Sequence, residues 1–134
     1  MKELYNLGLT NKDFNFILST FLKIKEIEDY QIAQNINILR QINCNERQIR
    51  NIVISNPQFL NRVEEDIVAL IKILKTYDMN NLNLLFDSNP FLLNKDAFEI
   101  ENYIKNELES GKMLQDIVDK FQLDPYQIDE IKGE

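Results

Sequence analysis

The side chains best able to do chemistry in this chain are six cations gathered in its middle: Arg40, Arg47, Arg50, Arg62, Lys72 and Lys75. Lysine and arginine at this density neutralise phosphates, so DNA or RNA is the ligand such a cluster would take. The same residues would serve equally as solvated helix faces, pairing with Glu46, Glu64, Glu65 or Asp66 at short helical spacing. Catalytic chemistry is harder to build. The absence of histidine excludes a Ser/His/Asp triad, a histidine-containing zinc site and a base with an unperturbed pKa near neutrality. Cys44, the single cysteine, has no disulfide partner and is expected as a half-buried thiol near a turn. Three glycines are too few for a phosphate-cradling loop or a dinucleotide fingerprint. In DSNPFLLNKDAFE, residues 87–99, Asp87, Asn89 and Glu99 have something of a calcium-loop spacing. Phe91 and Leu92 stand where that loop needs a ligand and a glycine. No catalytic residue, metal site, cofactor or small-molecule substrate is expected.

Charge is spread unevenly. The net charge is −7, from 15 basic and 22 acidic residues. Residues 1–39 carry −1 and residues 40–75 carry +2, while residues 76–134 carry −8. Only the middle segment could present a positive patch to a phosphate backbone. The acidic half, with Asp96, Glu99, Glu101, Glu107, Glu109, Asp116, Asp119, Asp124, Asp129 and Glu130, would suit a basic protein partner, or would act only to keep the chain soluble.

The elements that must position these groups are read from a repeat. ISNPQFLN at 54–61 and DSNPFLLN at 87–94 share the frame Asn-Pro-x-[Phe/Leu]-Leu-Asn, 33 residues apart. Before the first frame, NERQIRNIVI (45–54) puts Ile49, Ile52 and Val53 on one helical face, with Asn45 and Gln48 as a capping box. Pro57 stops that helix, because it lacks an amide and pushes Asn56 out of the α region. Asn61 is expected to cap a second helix with Glu64, along which Val63, Ile67, Leu70, Ile71 and Leu74 form an apolar stripe. The next unit repeats the design with Leu82, Leu85 and Phe86, then Pro90, Leu93 and a capping Asn94, then Ile100, Tyr103 and Ile104. Fainter copies flank these two. Upstream, Phe14, Ile17 and Leu18 precede Leu22 at the proline position, with Ile32, Ile36 and Leu39 beyond it; downstream, Leu114, Ile117 and Val118 begin a last unit.

The corner residues Pro57, Leu60, Asn61, Pro90, Leu93 and Asn94 are thus structural. Neither helix of a unit buries its stripe alone, so units must stack. The expected fold is all-α, a single domain over 1–134 built as a short curved stack of three to four helical hairpins. Its units span about 10–44, 45–77, 78–110 and 111–134, and its hand is left open. The eight phenylalanines are expected in the core, and only Tyr30 and Tyr77 have a basic neighbourhood suited to stacking on bases. GKMLQDIVDKFQLDPYQIDEI has the rhythm of a helix-turn-helix whose second helix would carry Asp124, Asp129 and Glu130 against Lys132. That charge fits a closing cap better than a groove-reading helix.

IRNIVISNPQFLNRVEEDIVALIKIL and LNLLFDSNPFLLNKDAFEIENYI together resemble the repeat of the mitochondrial transcription termination factor family, with Pro57, Leu60, Pro90 and Leu93 at its characteristic positions. The resemblance implies a solenoid whose basic concave face grips nucleic acid, often double-stranded DNA. Two functions from different classes follow: a non-enzymatic nucleic-acid-binding regulator or terminator of transcription, and a protein-interaction module using the repeat groove or the acidic face. No apolar run approaches the ~20 residues of a membrane span, and the first residues have neither a signal core nor a transit-peptide composition, so a soluble cytoplasmic protein is expected.

Overall fold

The computed structural model describes residues 2–121, and within them every regular element is a helix. In chain order these are α1 (Lys2–Asn6), α2 (Asn11–Thr20), α3 (Asp29–Gln41), α4 (Glu46–Ser55), α5 (Glu64–Thr76), α6 (Leu82–Ser88), α7 (Ala97–Glu109) and α8 (Leu114–Phe121). Short 3₁₀ turns at Leu22–Glu26, Pro57–Asn61 and Pro90–Asn94 join α2 to α3, α4 to α5 and α6 to α7. A shorter helix, a 3₁₀ corner and a 13-residue helix therefore occur three times in succession. The long helices lie side by side, α3 on α5 and α5 on α7, with α1 against the other flank of α3. The short helices α2, α4 and α6 form a second layer, and the 3₁₀ corners line up along one edge. The apolar stripes face inward between the layers. Ile49, Ile52, Val53, Ile67, Leu70, Leu74, Leu85, Phe86, Ile100 and Ile104 are all essentially inaccessible to water.

Helix starts follow local chemistry. Asn45 Oδ1 accepts from the Gln48 amide at 2.8 Å and Gln48 Oε1 accepts from the Asn45 amide at 2.9 Å, the expected capping box. Thr10 and Asp13 build the same box before α2. The helix ends also share a device. Gly8, Asn43, Asp78 and Gly111 all have positive φ, between 61° and 94°, and they follow α1, α3, α5 and α7. The amides of Cys44, Met79 and Lys112 then reach back to the carbonyls of Leu39, Leu74 and Glu107, closing each helix through a left-handed residue. Their equivalent placement puts α1 in the register of a long helix reduced to its last turn.

The corners differ from expectation in two ways. Pro57 and Pro90 each open a 3₁₀ turn and are buried, yet Leu22 opens the same turn without a proline. The preceding residues Phe21, Asn56 and Asn89 have nearly identical backbones (φ −149°, −141° and −140°; ψ 79°, 66° and 78°). Proline fits this corner but is not what creates it. What recurs in all three is a fully buried apolar residue at the third position of the turn, Ile24, Phe59 and Leu92.

The second difference concerns Asn61 and Asn94, which cap nothing. The 3₁₀ turn runs through both of them, so α5 starts only after the extended Val63, with no side-chain cap, and α7 starts after Asp96, whose carboxylate accepts from the Glu99 amide. Val63 therefore leaves the apolar stripe and is 56% exposed. Asn94 instead exchanges side-chain hydrogen bonds with Asn56. Two phenylalanines also depart from the core: Phe16 is 51% and Phe98 68% exposed, each on the outer side of its helix. Helix α8 is the first half of the expected helix-turn-helix, with Ile117 buried; Asp124, Tyr126, Ile128, Asp129, Glu130, Ile131 and Lys132 lie outside the described residues.

Candidate nucleic-acid interface

The six middle cations divide into two groups. Arg47, Arg50 and Arg62 reach across to neighbouring units. Arg47 Nη2 pairs with Asp87 Oδ2 at 3.1 Å, linking α4 to α6. Arg50 Nη1 donates in the opposite direction, to the Leu7 carbonyl at 3.2 Å. Arg62 Nη1 donates to the Leu93 carbonyl at 2.6 Å, from the corner of one unit to the corner of the next. Burial holds the Arg62 guanidinium below its ordinary pKa, with Asp66 and Asp96 opposing that shift. Lys95, 33 residues after Arg62, is likewise buried. The three arginines thus point to different neighbours and form no common surface.

Arg40, Lys72 and Lys75 do share a surface. All three are exposed on the outer face of the long-helix layer. That face is built by 3.6-residue periodicity: Gln34, Asn37 and Gln41 on α3, Ala69, Lys72 and Thr76 on α5, and Asn102, Lys105 and Glu109 on α7 are exposed at equivalent positions. Lys105 stands where Lys72 stands one unit earlier. It sits in the acidic half of the sequence, and a tally of charge by segment passes over it. The 33-residue register that aligns Pro57 with Pro90 also aligns Lys72 with Lys105 and would have found it.

Charge on this face runs along the helices. The first turns carry Asp29, Glu64, Glu65, Asp66 and Glu99, where carboxylates suit the positive end of the helix dipole, and the last turns of α3 and α5 carry Arg40 and Lys75. Cations and amides therefore collect toward the edge formed by the α3–α4 and α5–α6 turns, opposite the 3₁₀ corners. Two of the cations have weak partners, Arg40 with Glu46 at 3.4 Å and Lys105 with Glu101 at 3.9 Å. Exposed pairs of this kind are worth about 0–1 kcal/mol, so a phosphate can displace the carboxylate.

The stack is pinned by amides that sequence reasoning passed over. Buried Asn56 donates from Nδ2 to the Pro90 carbonyl at 2.9 Å, and buried Asn89 does the same to the Phe121 carbonyl at 2.9 Å. Asn35, fully buried on α3, places its Nδ2 within 2.9–3.1 Å of the Phe59, Leu60 and Arg62 carbonyls. The Asn of each Asn-Pro frame is thus a tie between units. Its signal was the repetition of asparagine itself at 56 and 89, beside the more conspicuous proline.

The acidic C-terminal half is partly neutralised from within. Lys112 Nζ lies 2.6 Å from Glu107 Oε2, and that bond holds the Glu107 carboxyl below its ordinary pKa against the opposing effect of burial. Tyr30 is exposed at the start of α3, far along the helix from Arg40, and Tyr77 is half-buried at the C-terminal end of α5.

An all-helical stack of short helix, 3₁₀ corner and long helix, tied at its corners and carrying a polar basic face, defines the class: a non-globin helical-repeat protein of solenoid type. The mTERF family model matches residues 1–119, and the chain belongs to the mTERF family. Neither the curated proteins nor the solved structures give a match. Among the described residues no helix is long and apolar enough to cross a membrane.

Proposed function

We propose that this protein is a non-enzymatic nucleic-acid-binding member of its family, acting in transcription regulation or termination, and that it binds through the outer face of α3, α5 and α7. The observation that carries this reading is the row Arg40, Lys72, Lys75 and Lys105, exposed on adjacent helices of a face that also bears Gln34, Asn37, Gln41, Ala69, Thr76 and Asn102, with Glu65 and Glu109 toward its ends. Arg47, Arg50 and Arg62 support the same surface by holding the units in register. Family membership supports nucleic acid as the ligand class. The test is fluorescence anisotropy with double-stranded DNA, single-stranded DNA and RNA, comparing the native chain with Lys72→Glu/Lys75→Glu. Binding of at least one class at about 50 mM salt, lost in the variant, is expected. Equal binding by both proteins would refute the face.

A protein partner is the second reading, favoured by Tyr30, Val63 and Phe98, which are exposed near the starts of α3, α5 and α7, on the acidic side of the same layer. A basic peptide with apolar anchors would suit that edge.

A further inference from the structure

Between the α3–α4 turn and the α5–α6 turn lies an open cavity of about 350 Å³. Five amide side chains line it, those of Gln41, Asn43, Asn80, Asn81 and Asn83, with Lys75 at its wall. No carboxylate faces it. Its floor includes Ile42 and Met79, both almost wholly buried. Backbone geometry explains two of the amides, because Asn43 and Asn81 have φ of 71° and 58°, where asparagine is tolerated better than most residues. It does not explain Gln41, Asn80 or Asn83. None of the five side chains is bonded to another described residue, and Asn81 makes no cap to α6. The cavity therefore gathers free donors and acceptors over an apolar floor, beside a cation.

These features match one chemical group. A nucleobase has an edge of alternating donors and acceptors and an apolar face, and Asn and Gln side chains pair with such edges through one donor and one acceptor at once. Its own phosphate is anionic and sits a few bonds away, as Lys75 sits beside the amides. The volume is at the small end of the ~300–1,000 Å³ of ligand clefts, which suits one base rather than a whole cofactor. A base stacked and paired within a duplex could not enter. We propose that this cavity receives an unpaired nucleobase of a single-stranded nucleic acid, with Lys75 on the adjoining phosphate and the strand continuing over Lys72 and Arg40. This rests on the basic-face reading above and narrows it, to single-stranded DNA or RNA recognised by at least one base.

The experiment compares a fluorescein-labelled single-stranded oligonucleotide with an abasic oligomer of the same length and charge, using native protein, Gln41→Ala/Asn80→Ala/Asn83→Ala and Lys72→Glu/Lys75→Glu. The expected result is about tenfold or greater preference of the native protein for the base-bearing strand, the gain of one good bidentate contact. The amide variant should lose that preference while keeping its affinity for the abasic strand, and the charge-reversed variant should lose both. Side-chain amide resonances of Gln41, Asn80 and Asn83 should shift with the base-bearing strand and not with the abasic one. Equal affinity for the two strands, or an unaltered preference in the amide variant, would overturn the cavity's role while leaving the basic face standing. No binding of either strand by the native protein would overturn the cavity's role, and the basic face falls with it only if duplex DNA is not bound either.

Discussion

Asn56 and Asn61 stand five residues apart in the same corner, and the fold treats them oppositely. Asn61 is exposed and its side chain caps no helix, whereas Asn56 is wholly buried and bonds to both the Pro90 carbonyl and Asn94. Removing a buried partner leaves the other side's polar group unsatisfied, at about 1–3 kcal/mol. Asn56→Ala should therefore lower unfolding free energy by about that amount in urea titration, while Asn61→Ala should change it by less than about 0.5 kcal/mol. The sequence announced the Asn-Pro frame but not which asparagine mattered, because the distinction depends on a carbonyl 34 residues away. Cys44 is better explained locally. Burial, and secondarily the Asp87 charge, push its thiol up to about 11. Alkylation by iodoacetamide should accelerate with a midpoint near pH 11 rather than near 9. The sign for stability follows: the fold favours the neutral thiol, so its contribution is intact below about pH 9 and is lost as pH rises toward 11.

Among the elements, the long helices were the most legible, since their stripes recur every three to four residues over 13-residue spans. Ile67, Leu70, Ile71 and Leu74, and likewise Ile100, Tyr103 and Ile104, are buried as their spacing predicts. The corners were less legible. A 3₁₀ turn has no apolar period of its own, so the repeat register places Leu22 at the proline position without showing that the turn forms there in the absence of proline. The left-handed residues closing the long helices give a further test. A Cβ on Gly8 or Gly111 would meet nothing within 4 Å, so any cost of alanine there comes from the backbone alone. Gly8→Ala should cost about 1–2 kcal/mol through its φ of 86°, read as a shift in thermal unfolding, with no change in core packing. An unaltered stability would mean that the turn relaxes, and with it the register of α1. Arg62→Ala should cost about 1.5–3 kcal/mol, because it removes a charge-assisted bond to the Leu93 carbonyl. If Arg62 acted instead as a phosphate anchor, the same variant would keep its stability and lose affinity.

At the scale of the whole molecule, net charge misleads. By its total alone, a charge of −7 repels phosphates, yet the carboxylates gather in the first turns of the long helices and in the C-terminal third, leaving the last turns of α3 and α5 to cations and amides. Segment sums could not show this, because helical periodicity sends Arg47, Arg50 and Arg62 to neighbouring units and brings Lys105 from the acidic half onto the same face. The central claim is that this face binds a phosphate backbone, and the salt dependence of binding measures it most directly. Three or four phosphates neutralised by Arg40, Lys72, Lys75 and Lys105 predict a slope of about −2 to −4 for log affinity against log salt, depending on whether the ligand is single- or double-stranded. A slope in that range, reduced by about one or two in the milder, charge-neutral Lys72→Gln/Lys75→Gln, is the expected result. A slope near zero, or no binding at low salt, would contradict the account.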